Sequence, residues 1–275
     1  MVSSTETTEK IPRIYVVDAE QIYKFCKATG DENKVHQGDN PVVPGFFLDF
    51  LVKTHFDMQA RARNPLLRLT GLEAKFRLAI HKNEPFFVKD EEIYNPAEGT
   101  LMYKMAIVKS NVLQTDGTTA NIEAVEGSIK YSIAPNSPLT ARLNSKILPY
   151  SKQGKSYYLN EETIECVKQS LGNAQHDKIA TIVSATSHAL QTDKESYDVL
   201  FNETLLGNKY PFFAKHDLTV YEGIEKLPTG AKFIIHNKHG EARMGLHPAY
   251  VRGVNSSGVP LFDLTCTIIF HEQKS

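Results

Sequence analysis

The sequence predicts an α+β protein made of two tandem copies of one unit, each with a capped helix, a buried helix and alternating strands. Three observations carry this: an internal repeat, apolar runs behind good helix N-caps, and long alternating segments that finish each half. Sliding the chain by 142 residues aligns Asp18 to His36 (DAEQIYKFCKATGDENKVH) with Asn160 to Lys178 (NEETIECVKQSLGNAQHDK) without a gap. Glu20 then meets Glu162, Ile22 meets Ile164 and Gly30 meets Gly172. A shift of 140 sets AKFRLAI (Ala74 to Ile80) over AKHDLTV (Ala214 to Val220). Two matches in one order at nearly one offset favour tandem copies. The expected boundaries are 1–134 for the first copy, 135–156 for a linker rich in proline, serine and basic residues, and 157–275 for a degenerate second copy.

Each element has a local reason. Asp18 and Asn160 stand as N-caps before EQIYKF and EETIECV, whose apolar residues recur at helical spacing. The next helix is expected from Gly45 to about Arg63, because Pro44 suits a sharp helix entry and FFLDFLVKTHF is apolar enough to be buried. Its counterpart is expected from Ile179 to about Leu190. TLMYKMAIVKS and VPLFDLTCTIIFH read as strands, and TDGT (Thr115 to Thr118) and NSSG (Asn255 to Gly258) as hairpin turns.

The stretch GDENKVH (Gly30 to His36), followed by PVVPGFF (Pro41 to Phe47), carries the chemistry. On a helix Asp31 and His36 would point about 140° apart, so they converge only from a turn. Gly30, Asp31 and Asn33 supply that turn chemistry. An imidazole near its titration point gives or takes a proton, and a neighbouring carboxylate can hold the same water. The amides at the start of the helix, with its positive dipole end, form an oxyanion site.

These residues carry a resemblance. GDENKVH resembles the GDxNxxH signature of the MaoC-like enoyl-CoA hydratases, and HQGDNPVVPGFFLDF resembles the HFPxxPVxPG segment of the 3-hydroxyacyl-(acyl-carrier-protein) dehydratases. LTGLEAKFRLAIHKNEPFFV (Leu69 to Val88) is similar to the dehydratase strand KFRxPVxPGD, so the likeness spans roughly residues 15–132. The resemblance implies a hotdog fold, in which an antiparallel sheet wraps a long buried helix, here as a double hotdog. It further implies a hydro-lyase that hydrates 2-enoyl thioesters and dehydrates (R)-3-hydroxyacyl thioesters in fatty-acid metabolism. Asp31 and His36 would hold the water and the Gly45 amide would bind the thioester carbonyl. Asn33, Pro44, Phe46 and Phe47 are the candidate substrate-binding residues, and Phe46, Phe47 and Leu48 the candidates to line an acyl tunnel, with turn bracing for Asn33 and core packing for the three helix residues as the alternatives. No metal or cofactor is expected, acyl-CoA or acyl carrier protein entering as substrate. Two departures stand out. The dehydratase glutamate on the helix is replaced by Phe50, with Asp49 one position and about 100° away, and Pro44 stands where the hydratases carry a second histidine.

The ungapped repeat sets Asn173 opposite Asp31, Lys178 opposite His36 and Ser187 opposite Gly45, which leaves one working site. His176 lies two residues from the matched position without a carboxylate beside it, and His188 reads as a satisfied, partly buried group. HNKHGEARMGLH (His236 to His247) has no metal-ligand spacing and reads as a solvated hairpin.

Composition excludes several classes. With 31 basic against 32 acidic residues in 275 and a net charge of -1, no broad attraction to nucleic acid or anionic membrane is expected. Cys26, Cys166 and Cys266 are isolated, so neither a zinc site nor a disulfide framework is expected. MVSSTETTEK has no apolar segment and no run approaches the length of a membrane span, which gives a cytoplasmic expectation. Fused copies can still pair as a homodimer. The competing readings are a hotdog thioesterase using Asp49, a non-catalytic acyl-binding protein, and a scaffold subunit of an acyl-processing complex.

Overall fold

The computed structural model describes residues 13–113, 118–144, 154–172, 178–192 and 209–272. After the short strand β1 (Ile14–Tyr15), helix α1 (Ala19–Thr29) opens on Asp18. The Asp18 carboxylate accepts from Gln21 N at 2.8 Å, while the Gln21 side chain accepts from Asp18 N at 3.1 Å. This reciprocal box satisfies two amides that the first helical turn leaves unpaired. A 3-10 turn (Lys34–His36) leads to α2 (Gly45–Arg63), with the bounds the sequence predicts. Phe46, Phe47, Leu48, Asp49 and Phe50 are all buried, so α2 begins as a core helix covered on every side.

Four strands follow: β2 (Arg68–Phe76), β3 (Phe86–Asn95), β4 (Thr100–Leu113) and β5 (Thr119–Ser132). A Cβ on Gly127 of β5 would lie 1.9 Å from the carbonyl oxygen of Glu73, so only glycine lets β2 and β5 approach here. Residues 115–117 of the expected TDGT turn lie outside the described residues. The segment read as linker holds a helix, α3 (Pro138–Asn144), and its last residues already belong to β6 (Lys155–Tyr158). Arg252 ties α3 to the sheet. Its guanidinium grips Asp263 through two 2.6 Å bonds and donates to Ala141 O at 3.0 Å.

The second half continues with α4 (Glu161–Ser170), capped by Asn160, and α5 (Lys178–Thr192), in which Ile179 to Ser187 are buried without a break. The remaining strands are β7 (Lys209–Val220), β8 (Lys232–His239), β9 (His247–Asn255) and β10 (Pro260–Glu272). In the NSSG turn the Asn255 side chain accepts from Ser257 N and Val259 N, both at 2.9 Å, which closes the β9–β10 hairpin.

Among the described residues all strands join one antiparallel sheet in the order β1-β3-β4-β5-β2-β7-β10-β9-β8-β6. Read inward from either edge the order is the same: β1-β3-β4-β5-β2 on one side and β6-β8-β9-β10-β7 on the other. The seam is β2 against β7, where Ala74 pairs with His216. Matching side-chain pairs mark the correspondence. Tyr15 OH meets His55 Nδ1 at 2.6 Å and Tyr157 OH meets His188 Nδ1 at 3.1 Å, while Tyr15 stacks on Phe86 and Tyr157 on Phe233. One continuous core runs through both halves, including Phe47 and Phe56 of the first and Ile182 and Phe233 of the second. Among the described residues no helix is long and apolar enough to cross a membrane.

Candidate active site

A cavity of about 270 Å³ lies where the two halves meet. The first half supplies Asp31, His36 and Gly45, with Phe76 at the end of β2 and the segment Arg77 to Ile80 that follows; the second supplies Ser187, Leu190 and Gln191 of α5, Pro211 to Phe213 of β7, and Ile268 and Ile269 of β10.

The turn that carries the two polar groups is built locally. Gly30 ends α1 at φ 70°, a left-handed conformation that favours glycine. Asp31 N then donates to Cys26 O at 2.9 Å, which fixes where the carboxylate starts. Asn33 caps the 3-10 turn through Val35 N at 3.3 Å and donates to Pro211 O of β7 at 3.1 Å. Asn33 thus lines the cavity, with its side chain occupied by backbone partners.

Asp31 and His36 face each other from this turn, His36 Nε2 lying 3.7 Å from Asp31 Oδ2. That is too long for a direct hydrogen bond and leaves both atoms able to share one further polar group. His36 Nδ1 sits 2.8 Å from Val42 O. A carbonyl only accepts, so Nδ1 carries a proton, and whenever the ring is neutral Nε2 is its lone-pair acceptor, directed toward Asp31. Asp31 Oδ1 accepts from Asn33 N at 3.1 Å and from Gln191 Nε2 at 2.7 Å. One carboxylate oxygen is therefore engaged and the other faces the imidazole. Beneath the turn, burial and the charge of Asp31 push the Cys26 thiol up, which keeps it protonated.

Gly45 opens α2 on the cavity wall, and its N-cap, Pro44, makes no side-chain cap. The first-turn amides have no acceptor within the helix. Three sequence-predicted contacts lie elsewhere. Pro44 is buried off the wall, Phe46 stacks on His216 at 4.4 Å, and Phe47 packs edge-on against Phe25 at 5.2 Å. Successive helix positions turn about 100°, so only Leu48 of this group reaches the cavity together with Gly45.

Two contributors come from α5: Gln191, which went unmarked in the sequence, and His188, expected there as a satisfied, partly buried group, which it is. Gln191 accepts from Glu32 N at 2.7 Å while donating to Asp31, which clamps the turn from the other half. The His188 ring packs on Gly30, where a Cβ would come within 2.8 Å of its Cγ. Burial, with Lys155 nearby, lowers the pKa of His188. The repeat also needs a correction. The ungapped offset holds through both N-caps, but residues 171–177 are fewer than residues 30–44, so Lys178 opens α5 as Gly45 opens α2. Ser187 instead lies deep in α5, on the wall of the cavity. Asn173 and His176 fall outside the described residues. Asp49 forms a fully buried pair with His216 Nδ1 at 2.6 Å, and neither residue lines the cavity. Among the described residues no cluster of three metal-ligating side chains occurs.

No family model and no curated protein sequence matches this chain. Solved structures do. HtdX from Mycobacterium tuberculosis is 11% identical with a TM-score of 0.55, covering 92% of this chain and 97% of that one. A MaoC-like dehydratase is 10% identical with a TM-score of 0.56, covering 94% and 96%. A Lactobacillus plantarum protein assigned as an oleoyl thioesterase is 9% identical with a TM-score of 0.54, covering 96% of each chain. At such identities the likeness speaks for architecture alone, and the chain has the hotdog fold common to these dehydratases and thioesterases.

Proposed function

We propose that this chain is a tandem double hotdog with one working site, which hydrates 2-enoyl thioesters and, in reverse, dehydrates (R)-3-hydroxyacyl thioesters. The observation that carries the reading is Asp31 facing His36 at 3.7 Å on the wall of a cavity that also contains Gly45. A thioester carbonyl beside the α2 start accepts from the Gly45 amide, which stabilises the enolate formed as water adds at C3. The Asp31 Oδ2 and His36 Nε2 acceptors hold that water by its two hydrogens. One group removes a proton from it and the pair returns a proton to C2. The apolar wall of Leu48, Leu190 and Ile268 suits the acyl chain, delivered by coenzyme A or an acyl carrier protein. Free thiols at Cys26, Cys166 and Cys266 fit a reducing, cytoplasmic setting.

The thioesterase reading requires a carboxylate on α2 that reaches the reacting carbonyl. Asp49 is the nearby acid, and it is turned to His216 instead. Hydration of crotonyl-CoA by the wild type, falling about 10²- to 10⁴-fold in both Asp31→Asn and His36→Ala, is the expected result. Release of free thiol from a saturated acyl-CoA, with crotonyl-CoA left unchanged, would overturn it in favour of the esterase. Binding of acyl-CoA without either reaction would leave a non-catalytic acyl-binding protein.

A further inference from the structure

The Asp49–His216 pair is a deeply buried polar contact between the two halves, with side chains 4% and 0% exposed. Its chemistry is unusual for a core. Asp49 Oδ2 meets His216 Nδ1 at 2.6 Å, while Asp49 Oδ1 and His216 Nε2 have no hydrogen-bond partner among the described residues. Burial pushes the Asp49 carboxyl up, with His216 opposing that shift. Cys266, directly across β10 from His216, has its thiol pushed up by burial and by Asp49. Taking two ionisable groups out of water and leaving two of their atoms unpaired is unfavourable, and apolar residues of like shape serve a core at least as well. Packing alone therefore does not account for the pair.

Its position supplies a reason. Asp49 follows Gly45 by one turn on the same face of α2. The His216 ring lies along that face: Cε1 comes within 3.2 Å of where a Gly45 Cβ would stand, and the ring stacks on Phe46 at 4.4 Å. Phe213 and Phe76 meet the ring edge-on at 4.4 Å and 5.0 Å. Gly45, Phe76 and Phe213 also line the cavity, so His216 stands directly behind its wall. The imidazole spans the first turn of α2, touching its start and hydrogen-bonded one turn on.

We propose that Asp49 and His216 are positioning residues that fix the first turn of α2 against β7, so that the Gly45 amide is already aimed when the thioester carbonyl arrives. The inference rests on Gly45 being the carbonyl donor. Neither residue touches substrate. The pair acts on the transition state, where charge gathers on the carbonyl oxygen and a misdirected donor matters most.

The test replaces the pair with apolar side chains of similar shape, Asp49→Leu with His216→Phe, beside His216→Phe alone in case the double variant fails to fold. Circular dichroism and thermal unfolding establish folding. Crotonyl-CoA hydration is expected to lose about 10- to 100-fold in kcat with KM within about threefold. Asp49→Asn, with His216 in place, still accepts from His216 Nδ1 and is expected to retain most of the kcat lost in the double variant. Infrared spectra of bound hexanoyl-CoA, labelled at the carbonyl carbon, give a readout free of turnover. The carbonyl stretch is expected to shift down on the wild type, and much less on the apolar variants. A folded apolar variant with wild-type kcat and an undiminished shift would overturn the proposal, as would an Asp49→Asn enzyme as slow as the double variant. A wild type that shifts the carbonyl without hydrating crotonyl-CoA would sink the lyase reading while leaving the role of the pair to the infrared comparison. A wild type that does neither overturns both.

Discussion

Gln191 donates its side-chain amide to the Asp31 carboxylate at 2.7 Å across 160 positions of sequence. The other end of the same amide accepts from Glu32 N at 2.7 Å, so one residue of α5 holds both the side chain and the backbone of the turn. With Asn33 N also on Oδ1, the carboxylate is left with Oδ2 directed at His36. The second half thus orients an acid of the first. Gln191→Met keeps the length and removes both hydrogen bonds. Its kcat for hydration should fall about tenfold with little change in KM, and its stability by about 1 kcal/mol. Steady-state kinetics beside urea unfolding measure both; unchanged kcat with lowered stability would reduce Gln191 to a structural brace.

Gly30 is constrained twice, by φ 70° and by the His188 ring that a Cβ would meet at 2.8 Å. Gly30→Ala should therefore destabilise by roughly 1–3 kcal/mol and slow hydration, because Asp31 is the next residue. Adding His188→Ala relieves the collision and leaves the backbone strain. The double variant should recover only part of the loss in a thermal melt, and full recovery would show that the strain is unimportant.

His188 gives the site a pH dependence of known sign. Burial lowers its pKa in the folded state, so the unfolded chain binds the proton more readily. The stability it contributes is complete above its unfolded value of about 6.5 and is lost as pH falls through the lowered folded value. His188→Gln lacks this titration. Between about pH 8 and pH 5 the wild type should lose stability relative to the variant, and parallel curves from chemical denaturation would contradict the assignment.

What the sequence revealed and what it hid divide along the seam between the halves. The N-cap at Asp18, the α2 bounds at Gly45 and Arg63, and the meeting of Asp31 with His36 depend on residues close in sequence, where turn chemistry and apolar spacing speak directly. The helix α3 was hidden for another reason. Pro138 follows Ser137, whose hydroxyl accepts from Leu139 N at 3.3 Å, and a helix-start signal so short reads equally well as linker. Gln191 on Asp31, His188 on Gly30 and His216 on Asp49 all cross from one half to the other. They depend on the β2–β7 register and the packing of α5, for which no local period exists. The misplaced equivalence of Ser187 had a visible signal, since the unbroken buried run begins at Ile179, too early for an ungapped offset.

Ser187 offers a way to test the cavity without touching the proton-handling groups. It is a small side chain on α5, 5% exposed and on the wall of a cavity of about 270 Å³ that also contains Leu190, Leu48 and Ile268. Ser187→Phe directs a ring into that space. A ring that stays in the cavity adds no strain to the core, whereas one forced among packed neighbours destabilises by about 1–3 kcal/mol. Since Asp31, His36 and Gly45 belong to other elements, kcat on crotonyl-CoA should stay within about threefold. Longer enoyl-CoA substrates should lose affinity, because each methylene denied its apolar contact forfeits about 0.8 kcal/mol. The measurement is KM across a series of chain lengths. A profile that rises with length places the acyl chain beside α5, whereas an equal loss at every length would mean that the ring has displaced the Asp31 turn, and an unchanged profile that the chain runs elsewhere.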